Sequence, residues 1–596
     1  MGGRRLILFV LAAATAIASC SGGESTTTNS PSDRGEFTTT TSATTPTLVS
    51  RTTVPPAVET TTTAPAPPPE ESPTPLVIQK LVVAGPEEVA FDWTTDRCEP
   101  EHIPDIAARA FRDADGNVQL NIGHYVNYRM IGPDFDSLVS DCAAPVLTSA
   151  FDPDPSQFND SEWIAAFYTE DGQTVYAVVH NEYRGVTHQA TRSGQCPSND
   201  NLTCLDTSFT MAISTDGGDT FADIAAPPNH LIATMPYVFD DEGVPSGIRQ
   251  PSNIVRGPDD YYYLFGNVSD YPDAPGDFEP QWVCALRTDN LADPTAWRYW
   301  DGSAFAGEFI NPYVDTAVAG HEAPKCAPVA LPDLSSSVNE GLVYNEALGK
   351  YVMVGISAQA DDAPTVWGVY YALSDDLIHW STRELLLEIE SGEAVADPAN
   401  ELLHAYPSII DHDSLSMSFE TMDGDGYLYI SRFNFGGNSL DRDLLRFPIA
   451  VEEVVYAGPE WTFDTDGDTE GWFPEFGIGT FETTAGNLVV ESLNDDPYLV
   501  SGPTIIPASY HTMVITMRVP DGSRTVGQVF FLTDTDPLWD EAKSLVFDVI
   551  SDGEFHDYEL DLSTVGGWEG LITRLRIDPV AVGGLTIEIA GVAFPG

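Results

Sequence analysis

An all-β fold is predicted for this chain, and three observations lead to it. From about residue 77 onward, short apolar strands alternate with Gly- and Asp-rich turns, and no long amphipathic helical segment interrupts them. A hairpin pattern recurs five times before residue 456. The residues after 456 contain alternating strands without that repeat. We therefore expect a five-bladed β-propeller over 77–456, followed by a β-sandwich (jelly roll) over 457–596.

The N-terminus has the pattern of an export signal. "MGGRR" is basic, "LILFVLAAATA" is an apolar core too short for a permanent membrane helix, and "IASC" follows. The ending resembles a bacterial lipobox, which implies that Cys20 is lipidated and anchors the protein to the outer face of the cell membrane. An ordinary cleaved signal with an incidental cysteine is the alternative. Residues 21–76 are rich in Thr, Ser and Pro, and we expect them to form a disordered tether.

The net charge of −65 is extreme, because 91 Asp and Glu residues face only 26 Lys and Arg residues. Such a surface repels nucleic acid and anionic lipid, so neither is expected as a direct partner. The membrane is then reached only through the lipid anchor, and a monomer is expected. A solvated acidic surface explains the charge, and a cation-binding surface is the alternative.

Cysteine usage agrees with export. Six cysteines remain after Cys20, and an even number in an exported chain favours disulfides over zinc ligands, for which the spacing is wrong. Several connectivities are possible. We expect neighbours along the chain to pair, as Cys98–Cys142, Cys196–Cys204 and Cys284–Cys326.

The five hairpins each combine an apolar strand, a polar turn and an aromatic or β-branched strand. They are "ARAFRDADGNVQLNIGH", "WIAAFYTEDGQTVYAVVHNEY", "SNIVRGPDDYYYLFGNV", "GLVYNEALGKYVMVGIS" and "YPSIIDHDSLSMSFETMDGDGYLYISRFN". A third strand with an exit turn repeats in "MAISTDGGDTF", "CALRTDNLADPTAW" and "YYALSDDLIHW". In the last copy we expect Asp375 to cap the turn and Trp380 to pack between blades. "PLVIQKLVVAGPEEVAFDW" and "LLRFPIAVEEVVYA" are expected to pair and close the ring.

These repeats resemble a known group of proteins. The hairpins, with Ser-Asp-x-Leu-x-x-Trp in "SDDLIHW" and the variant "STDGGDTF", look like the five-bladed propeller glycoside hydrolases. That group includes the family 43 arabinosidases and xylosidases and the invertase and levansucrase clan. "STDGGDTF" also resembles the Asp-box of sialidases, a structural turn in six-bladed propellers. The resemblance covers roughly residues 77–456 and implies an architecture more than any one family.

The resemblance to family 43 implies where catalytic carboxylates would lie. Its base comes just before the first strand of the first blade, where "IPDIAARAFRDADG" places Asp105, with Arg109 four residues later. Its acid is a Glu in a Glu-Gly-Pro-like stretch entering a later blade. "GHEAPKCAPVAL" offers Glu322, with Ala in place of Gly and with His321 and Lys325 nearby. Salt-bridged structural roles are the alternative for these residues.

Other polar residues are candidates for lining the same site. His180 and Glu182 end an apolar strand in "VVHNEY" and point to one face, either as a hydrogen-bonded pair or as a catalytic or binding pair. Arg249 in "GIRQPSNIV" is a candidate for binding a sugar hydroxyl or a carboxylate, and Tyr406 in "HAYPSII" is a candidate for stacking on a sugar. The complete catalytic sets of family 43, of the invertase clan and of sialidases are not found.

The C-terminal region resembles galactose-binding-like carbohydrate-binding modules, in "FDTDGDTEGW" and "WEGLITRLRIDP". Trp472, Trp539 and Trp568 are candidates for sugar stacking, with at least one expected in the core. The loop "DTDGDTE" could offer oxygen ligands to a structural Ca²⁺, or could be a solvated acidic loop. Its acidic side chains are Asp464, Asp466, Asp468 and Glu470.

Two classes of function follow from these patterns. The first is a surface-anchored glycoside hydrolase that acts on a polysaccharide or oligosaccharide through carboxylates, with no cofactor for catalysis. The second is a non-catalytic glycan-binding or adhesion lipoprotein, or an envelope interaction scaffold. Carboxylates facing one cavity would support hydrolysis. Scattered or salt-bridged carboxylates would count against an enzyme that uses Asp105, Glu182 and Glu322.

Overall fold

A computed structural model describes most of the chain after the tether. The described residues are 75–188, 196, 204–239, 246–269, 281–320, 322–329, 338–359, 366–389, 403–434, 438–456, 458–520, 522, 525–536 and 538–595. The predicted signal with Cys20, and the tether up to residue 74, lie outside them. Within the described part the chain is nearly all β. Its single α-helix, α1 (Trp93–Asp96), is too short to cross a membrane.

The strands up to residue 456 form the sheets of the first region. In chain order they are β1 (Leu76–Val83), β2 (Glu88–Phe91), β3 (Arg109–Arg112), β4 (Val118–Asn121), β5 (Val126–Asn127), β6 (Arg129–Gly132), β7 (Val139–Ser140), β8 (Leu147–Thr148), β9 (Ser161–Tyr168), β10 (Val175–Arg184), β11 (Leu205–Ser214), β12 (Ala222–Asp223), β13 (Leu231–Ala233), β14 (Ser246–Arg249), β15 (Val255–Arg256), β16 (Tyr262–Ser269), β17 (Gln281–Thr288), β18 (Arg298–Trp300), β19 (Phe305–Gly307), β20 (Gly341–Asn345), β21 (Lys350–Gln359), β22 (Val366–Ser374), β23 (Glu384–Glu388), β24 (Leu403–Ile410), β25 (Thr421–Met422), β26 (Asp425–Phe433) and β27 (Arg442–Tyr456).

All five predicted hairpins form antiparallel pairs. The pairs are β3 with β4, β9 with β10, β15 with β16, β20 with β21, and β24 with β26. The first turn shows why the sequence folds this way. Asp113 Oδ1 accepts the N–H groups of Asp115 (3.0 Å) and Asn117 (2.8 Å), and Gly116 supplies the left-handed residue at φ 89°.

The second and third repeats share one sheet, which was not predicted. The sheets are β3-β4-β6-β7, the eleven-stranded β19-β18-β17-β16-β14-β11-β10-β9 with β12, β13 and β15 attached, β23-β22-β21-β20-β25, and β1-β27-β26-β24 with β2 attached; β5 pairs with β8. The parallel pair β11–β14, with Thr207 opposite Gly247, makes the large sheet continuous. A Cβ on Gly247 would lie 2.3 Å from the Thr207 carbonyl oxygen, so only glycine permits this approach.

The predicted closing pair also forms. β1 runs antiparallel to β27 over its whole length, from Leu76 opposite Tyr456 to Val83 opposite Ile449. The first and last strands of this region therefore belong to one sheet. Lys80 of β1 also forms an ion pair between its Nζ and Glu384 Oε2 of β23, at 2.6 Å, which links this sheet to a neighbouring one.

A single segment, residues 411–423, bridges the ends of four strands that belong to three sheets. It accepts one backbone N–H from each strand end: Arg112 N–H to Met417 O (2.7 Å), Thr169 N–H to Ser418 Oγ (2.9 Å), Arg256 N–H to Glu420 Oε2 (2.6 Å) and Tyr344 N–H to Glu420 O (3.0 Å). These donors lie at or just beyond the ends of the leading hairpin strands. Those strands therefore approach a common centre at one end.

The repeated exit turn is structural, but its capping residue differs from the prediction. Asp376, not Asp375, accepts the turn N–H groups, from Ile378 (2.9 Å) and His379 (2.8 Å). Asp375 instead pairs with Lys350 at 2.6 Å, because the preceding hairpin brings that lysine alongside. Trp380 is buried and its ring lies 5.7 Å from that of Phe265 in β16, so it packs between two sheets as predicted.

The strands after residue 456 form two further sheets. They are β28 (Glu460–Trp461), β29 (Phe473–Phe476), β30 (Ile478–Thr484), β31 (Asn487–Ser492), β32 (Tyr498–Val500), β33 (Ile506–Pro507), β34 (Thr512–Arg518), β35 (Thr525–Thr533), β36 (Ser544–Val549), β37 (Phe555–Asp561), β38 (Leu571–Asp578) and β39 (Thr586–Ala593). One sheet is β30-β31-β39-β34-β37 with β28, and the other is β29-β32-β38-β35-β36 with β33. Apolar residues of both sheets share one core.

That core settles two of the three tryptophan candidates. Trp472 is 2% exposed and Trp568 is 9% exposed, and both belong to the core, so neither is available for sugar stacking. Trp539 is 38% exposed and remains a candidate.

Three disulfides form with the predicted connectivity. They join Cys98 to Cys142, Cys196 to Cys204, and Cys284 to Cys326.

Candidate active site

Asp105 lies where two other sheets meet the first. It directly precedes the hairpin that β3 opens, and its carboxylate forms an ion pair with Arg442 of β27. Trp163 Nε1 of β9 donates to Oδ2 at 3.2 Å, and the Tyr406 hydroxyl of β24 donates to Oδ1 at 3.5 Å. The structure thus brings together two residues, Asp105 and Tyr406, that the sequence places 301 positions apart.

Tyr406 was predicted to stack its ring on a sugar, and in the structure its hydroxyl also faces Asp105. Its backbone has φ 62°, which is uncommon for a residue with a large side chain, and it occupies a bulge between Ala405 and Ser408 in the pairing of β24 with β26. The bulge turns the side chain away from the regular alternation of the strand. Strain of this kind is often kept where a side chain must be aimed at a site.

His180 and Glu182 form the predicted pair, but Glu182 is not a free carboxylate. Oε1 lies 3.1 Å from His180 Nε2, and Oε2 accepts from Arg184 Nε at 2.9 Å. Burial raises the pKa of Glu182, but the Arg184 charge and the His180 hydrogen bond outweigh it and bring the pKa down to about 2. Glu182 is therefore ionised at neutral pH and cannot be the proton donor. Its predicted place in a catalytic or binding pair with His180 stays a prediction.

Arg109 was predicted to bind substrate, and this prediction is wrong. Its side chain is buried, and the guanidinium donates to main-chain carbonyls: Nε to Ala165 O (2.8 Å), Nη1 to Ala108 O (3.2 Å), and Nη2 to Pro251 O (3.1 Å) and Glu340 O. These carbonyls belong to four hairpins: Ala165 lies within β9, and Ala108, Pro251 and Glu340 precede β3, β15 and β20. Burial lowers the pKa of Arg109 to about 9, so it remains charged at neutral pH. It ties the sheets together instead of facing a ligand.

Glu322, the predicted acid, is exposed on a turn between β19 and β20. The disulfide from Cys326 to Cys284 and the hydrogen bond from Ala327 N–H to Trp300 O (2.8 Å) hold this stretch against β17 and β18. The described contacts do not include Glu322 in the group around Asp105. His321 lies outside the described residues.

Glu340 is the acidic residue that sequence reasoning missed. It directly precedes β20, is 5% exposed, and its Oε1 accepts from Gln250 Nε2 at 3.3 Å. Burial raises the pKa of Glu340 to about 8, against the opposing effects of the Ile356 N–H and the Arg109 charge. At neutral pH this carboxyl group is mainly protonated, so it can donate a proton.

A sequence signal for Glu340 exists in "NEGLVYN". Glu340 and Gly341 enter the fourth hairpin and fit a Glu-Gly-Pro-like entry better than "HEAPKC" does, with Leu342 in place of Pro. The glycine has a physical reason, since a Cβ on Gly341 would lie 2.7 Å from Val354 Cγ2 and 3.0 Å from Ser408 Cα. Close packing of β20 on β24 therefore requires glycine directly after the acid.

Three carboxyl groups, those of Asp105, Glu182 and Glu340, act on Tyr406 through their charges. Burial, and then the charges of Asp105, Glu182 and Glu340, raise the pKa of the Tyr406 hydroxyl, against the opposing effect of Arg442. The hydroxyl therefore stays protonated and remains a hydrogen-bond donor. The three groups differ in state: Asp105 is ion-paired with Arg442, Glu182 is held by His180 and Arg184, and Glu340 is mainly protonated.

Two further residues adjoin this group. His124 Nε2 is 3.6 Å from Asp105 Oδ2, and burial lowers the pKa of His124 to about 4, despite the opposing charge of Asp105, so the imidazole is neutral at pH 7. Arg249 lies half-buried in β14, next to Gln250. Its predicted contact with substrate stays a prediction.

The acidic loop of the C-terminal region binds its own backbone. Glu470 accepts from Thr462 N–H (2.9 Å) and Phe463 N–H (2.7 Å), and Asp466 accepts from Ala485 N–H (2.7 Å). Within the described residues, no three His, Cys, Asp or Glu side chains are arranged to hold a metal ion. Binding of Ca²⁺ by Asp464, Asp466, Asp468 and Glu470 would therefore require the loop to rearrange.

Comparison with known proteins adds structural neighbours at low similarity. No protein-family model and no curated protein matches the chain. Among solved structures, the chain is similar to a glycoside hydrolase family 43 arabinoxylan arabinofuranohydrolase from Bacillus subtilis, with 11% identity and a TM-score of 0.31, over 85% of this chain and 99% of that one. A xylan β-1,4-xylosidase from Bacillus halodurans C-125 has 9% identity and a TM-score of 0.30, over 83% and 100%.

A low-affinity xylan-binding module from Roseburia intestinalis matches 23% of this chain and 94% of its own length, with 16% identity and a TM-score of 0.17. The structural neighbours thus include family 43 glycoside hydrolases and a carbohydrate-binding module. At these identities and TM-scores, the similarity assigns neither a family nor an activity to the chain.

Proposed function

We propose that this protein is a glycoside hydrolase in which Glu340 is the general acid and Asp105 is the general base or nucleophile. The observation that carries the proposal is a pair of carboxyl groups in opposite environments beside one phenol. Asp105 is ion-paired with Arg442, whereas burial raises the pKa of Glu340 to about 8. Hydrolysis of a glycosidic bond needs one protonated and one ionised carboxyl group.

The reaction follows from these two states. Glu340 gives its proton to the leaving-group oxygen as the bond from the anomeric carbon to that oxygen breaks. Asp105 either takes a proton from the water that bonds to the anomeric carbon, or bonds to that carbon itself and forms an intermediate that water then hydrolyses. The distance between the two carboxyl groups decides which route is followed. The Trp163 N–H and the Tyr406 hydroxyl orient the Asp105 carboxylate.

We also propose that the first region is a five-bladed propeller. Arg109 contacts carbonyls in four hairpins, the segment 411–423 bridges strand ends at the opposite side, and β1 pairs with β27. These contacts support a ring of sheets around one axis. The starts of the leading strands would then surround the opening of the central channel of the propeller. Asp105, Gln250, Glu340 and Tyr406 all lie at this end.

The primary test is a reducing-sugar screen of the purified protein against plant, algal and microbial polysaccharides, with Asp105→Asn alongside. We expect wild type to release reducing ends from at least one polysaccharide and Asp105→Asn to release almost none. Asp115→Asn, in the exposed turn of the same hairpin, is the matched control and should behave as wild type. If wild type releases no reducing ends from any polysaccharide of the panel, the proposal is contradicted.

Non-catalytic glycan binding is the second candidate. It is favoured by the burial of Glu340, whose carboxyl group is only 5% exposed, and by the closed ion-pair network of Glu182. A protein of this kind would retain polysaccharides on a column without cleaving them, and Asp105→Asn would bind as well as wild type. The β-sheets after residue 456 would then carry at least part of the binding, with Trp539 still available for stacking.

The activity should fall as the pH rises through about 8, because Glu340 loses the proton it must donate.

The free energy of unfolding should also depend on the protonation of Glu340. Its folded pKa is raised above the ordinary value of 4.5, so the folded state binds the proton more tightly, and this contribution is lost between pH 4.5 and about 8. Stability measured by guanidinium unfolding across this window should therefore decline less in Glu340→Gln than in wild type. Parallel profiles would contradict the assignment.

Export and lipid anchoring at Cys20 are a further part of the proposal, and they rest on the sequence alone. Cys20→Ser removes the acylated thiol, so the protein should move from the membrane fraction to the soluble fraction and lose incorporation of labelled palmitate. Fractionation of a bacterial host expressing both forms measures this. Membrane association of the serine variant equal to that of wild type would contradict anchoring at this residue.

A further inference from the structure

Phe151 is an exposed aromatic residue in a strained conformation. It lies between β8 and β9, its side chain is 45% exposed, and its φ is 53°. A bulky residue at positive φ costs free energy, and an exposed ring recovers little of that cost by burial. The fold therefore offers no reason for an aromatic side chain at this position.

The backbone around Phe151 is held firmly. Phe151 N–H donates to Asp160 O at 3.0 Å, and Asp152 N–H donates to Asn159 O at 2.9 Å. On the other side, Ala150 N–H donates to Glu162 Oε2 at 3.1 Å. The ring is thus presented from a fixed position.

A row of rings connects Phe151 to Asp105. The Phe151 ring lies 5.7 Å from that of Tyr125, and the Tyr125 ring lies 6.2 Å from that of Trp163, both edge to face. Trp163 in turn donates to the Asp105 carboxylate. Tyr125 is half-buried and Trp163 is buried, so the row runs from the candidate active site outward to solvent.

We propose that Phe151 and Tyr125 form a second sugar-binding subsite, continuous with the active site. The apolar C–H face of a sugar ring packs on an aromatic ring, and the ring hydroxyls remain free for polar partners such as the Tyr125 hydroxyl. The substrate then spans at least two sugar units: one is cleaved beside Asp105 and Glu340, and the next lies on the aromatic row. This inference rests on the proposed function and specifies an oligosaccharide or polysaccharide substrate.

Phe151→Ala should raise KM about fivefold to tenfold for a tetrasaccharide released from the polysaccharide that wild type cleaves. For the 4-nitrophenyl glycoside of the terminal sugar, which does not reach the second subsite, KM should stay within about twofold. Phe151→Trp, which restores an aromatic ring, should return KM to near the wild-type value. Leu415→Ala is the control, because Leu415 is fully exposed in the segment that bridges the opposite strand ends. Equal KM values for Phe151→Ala and wild type on the tetrasaccharide would overturn the subsite.

Retention on immobilised panel polysaccharides separates failure of the subsite from failure of the proposed function. If wild type hydrolyses none of the polysaccharides, the proposed function fails. The subsite still predicts that the column retains Phe151→Ala less than wild type, and Phe151→Trp as well as wild type. Equal retention of the alanine variant, or no retention of wild type on any polysaccharide, overturns the subsite.

Discussion

Glu340→Gln is expected to lower kcat/KM for polysaccharide hydrolysis by about 10²- to 10⁴-fold. Glutamine has nearly the same shape and keeps an oxygen for the Gln250 N–H, but it has no proton to give to the leaving group. The loss should be smaller on substrates with a good leaving group, such as 4-nitrophenyl glycosides, because these need little protonation. The measurement is steady-state kinetics on both kinds of substrate.

The matched control is Glu346→Gln. Glu346 is exposed in the turn at the other end of β20, so it shares the strand but not the site, and its variant should keep full activity. The buried carboxyl group of Glu340 is mainly protonated at neutral pH, so the neutral amide should fold normally, which a melting curve verifies. If Glu340→Gln remains fully active on the polysaccharide while folded, Glu340 is not the acid.

Much of the fold was predictable because its determinants are local. Strand alternation and Asp- or Gly-containing turns predicted all five hairpins, and β1 and β27 were expected to pair because their segments precede the first hairpin and follow the last. Proximity along the chain was enough to pair the cysteines correctly. The parallel contact at Gly247 was not predictable, because it depends on the distance between two sheets rather than on either strand.

The candidate site was only partly predictable, for a related reason. Asp105 and Tyr406 were identified because each enters a leading strand. Glu322 was chosen as the acid on the local similarity of "HEAPKC" and Glu340 was not identified, although the Cys326 disulfide next to Glu322 holds that stretch against another sheet. Burial, which decides the protonation state of Glu340, is a property of the assembled sheets and is not visible in a strand pattern.

Arg109→Met is expected to lower the free energy of unfolding by about 3 kcal/mol, because buried carbonyls lose their donor. The acceptors Ala165, Pro251 and Glu340 belong to three hairpins other than that of Arg109 itself, and methionine fills the space without donating. Arg109→Lys should fail to rescue, since one ammonium group cannot reproduce the geometry of a planar guanidinium. Guanidinium unfolding of the full chain measures both variants.

A second measurement distinguishes Arg109 from an ordinary buried residue. Its positive charge opposes the raised pKa of Glu340, so Arg109→Met should move the alkaline limit of activity to higher pH. Arg298→Met is the control, because Arg298 also donates to carbonyls but is about one-third exposed, and it should cost less than about 1 kcal/mol. Equal stability losses in the two variants would mean that the contacts of Arg109 do not hold the sheets together. If the alkaline limit of activity does not shift, the charge of Arg109 does not influence the pKa of Glu340.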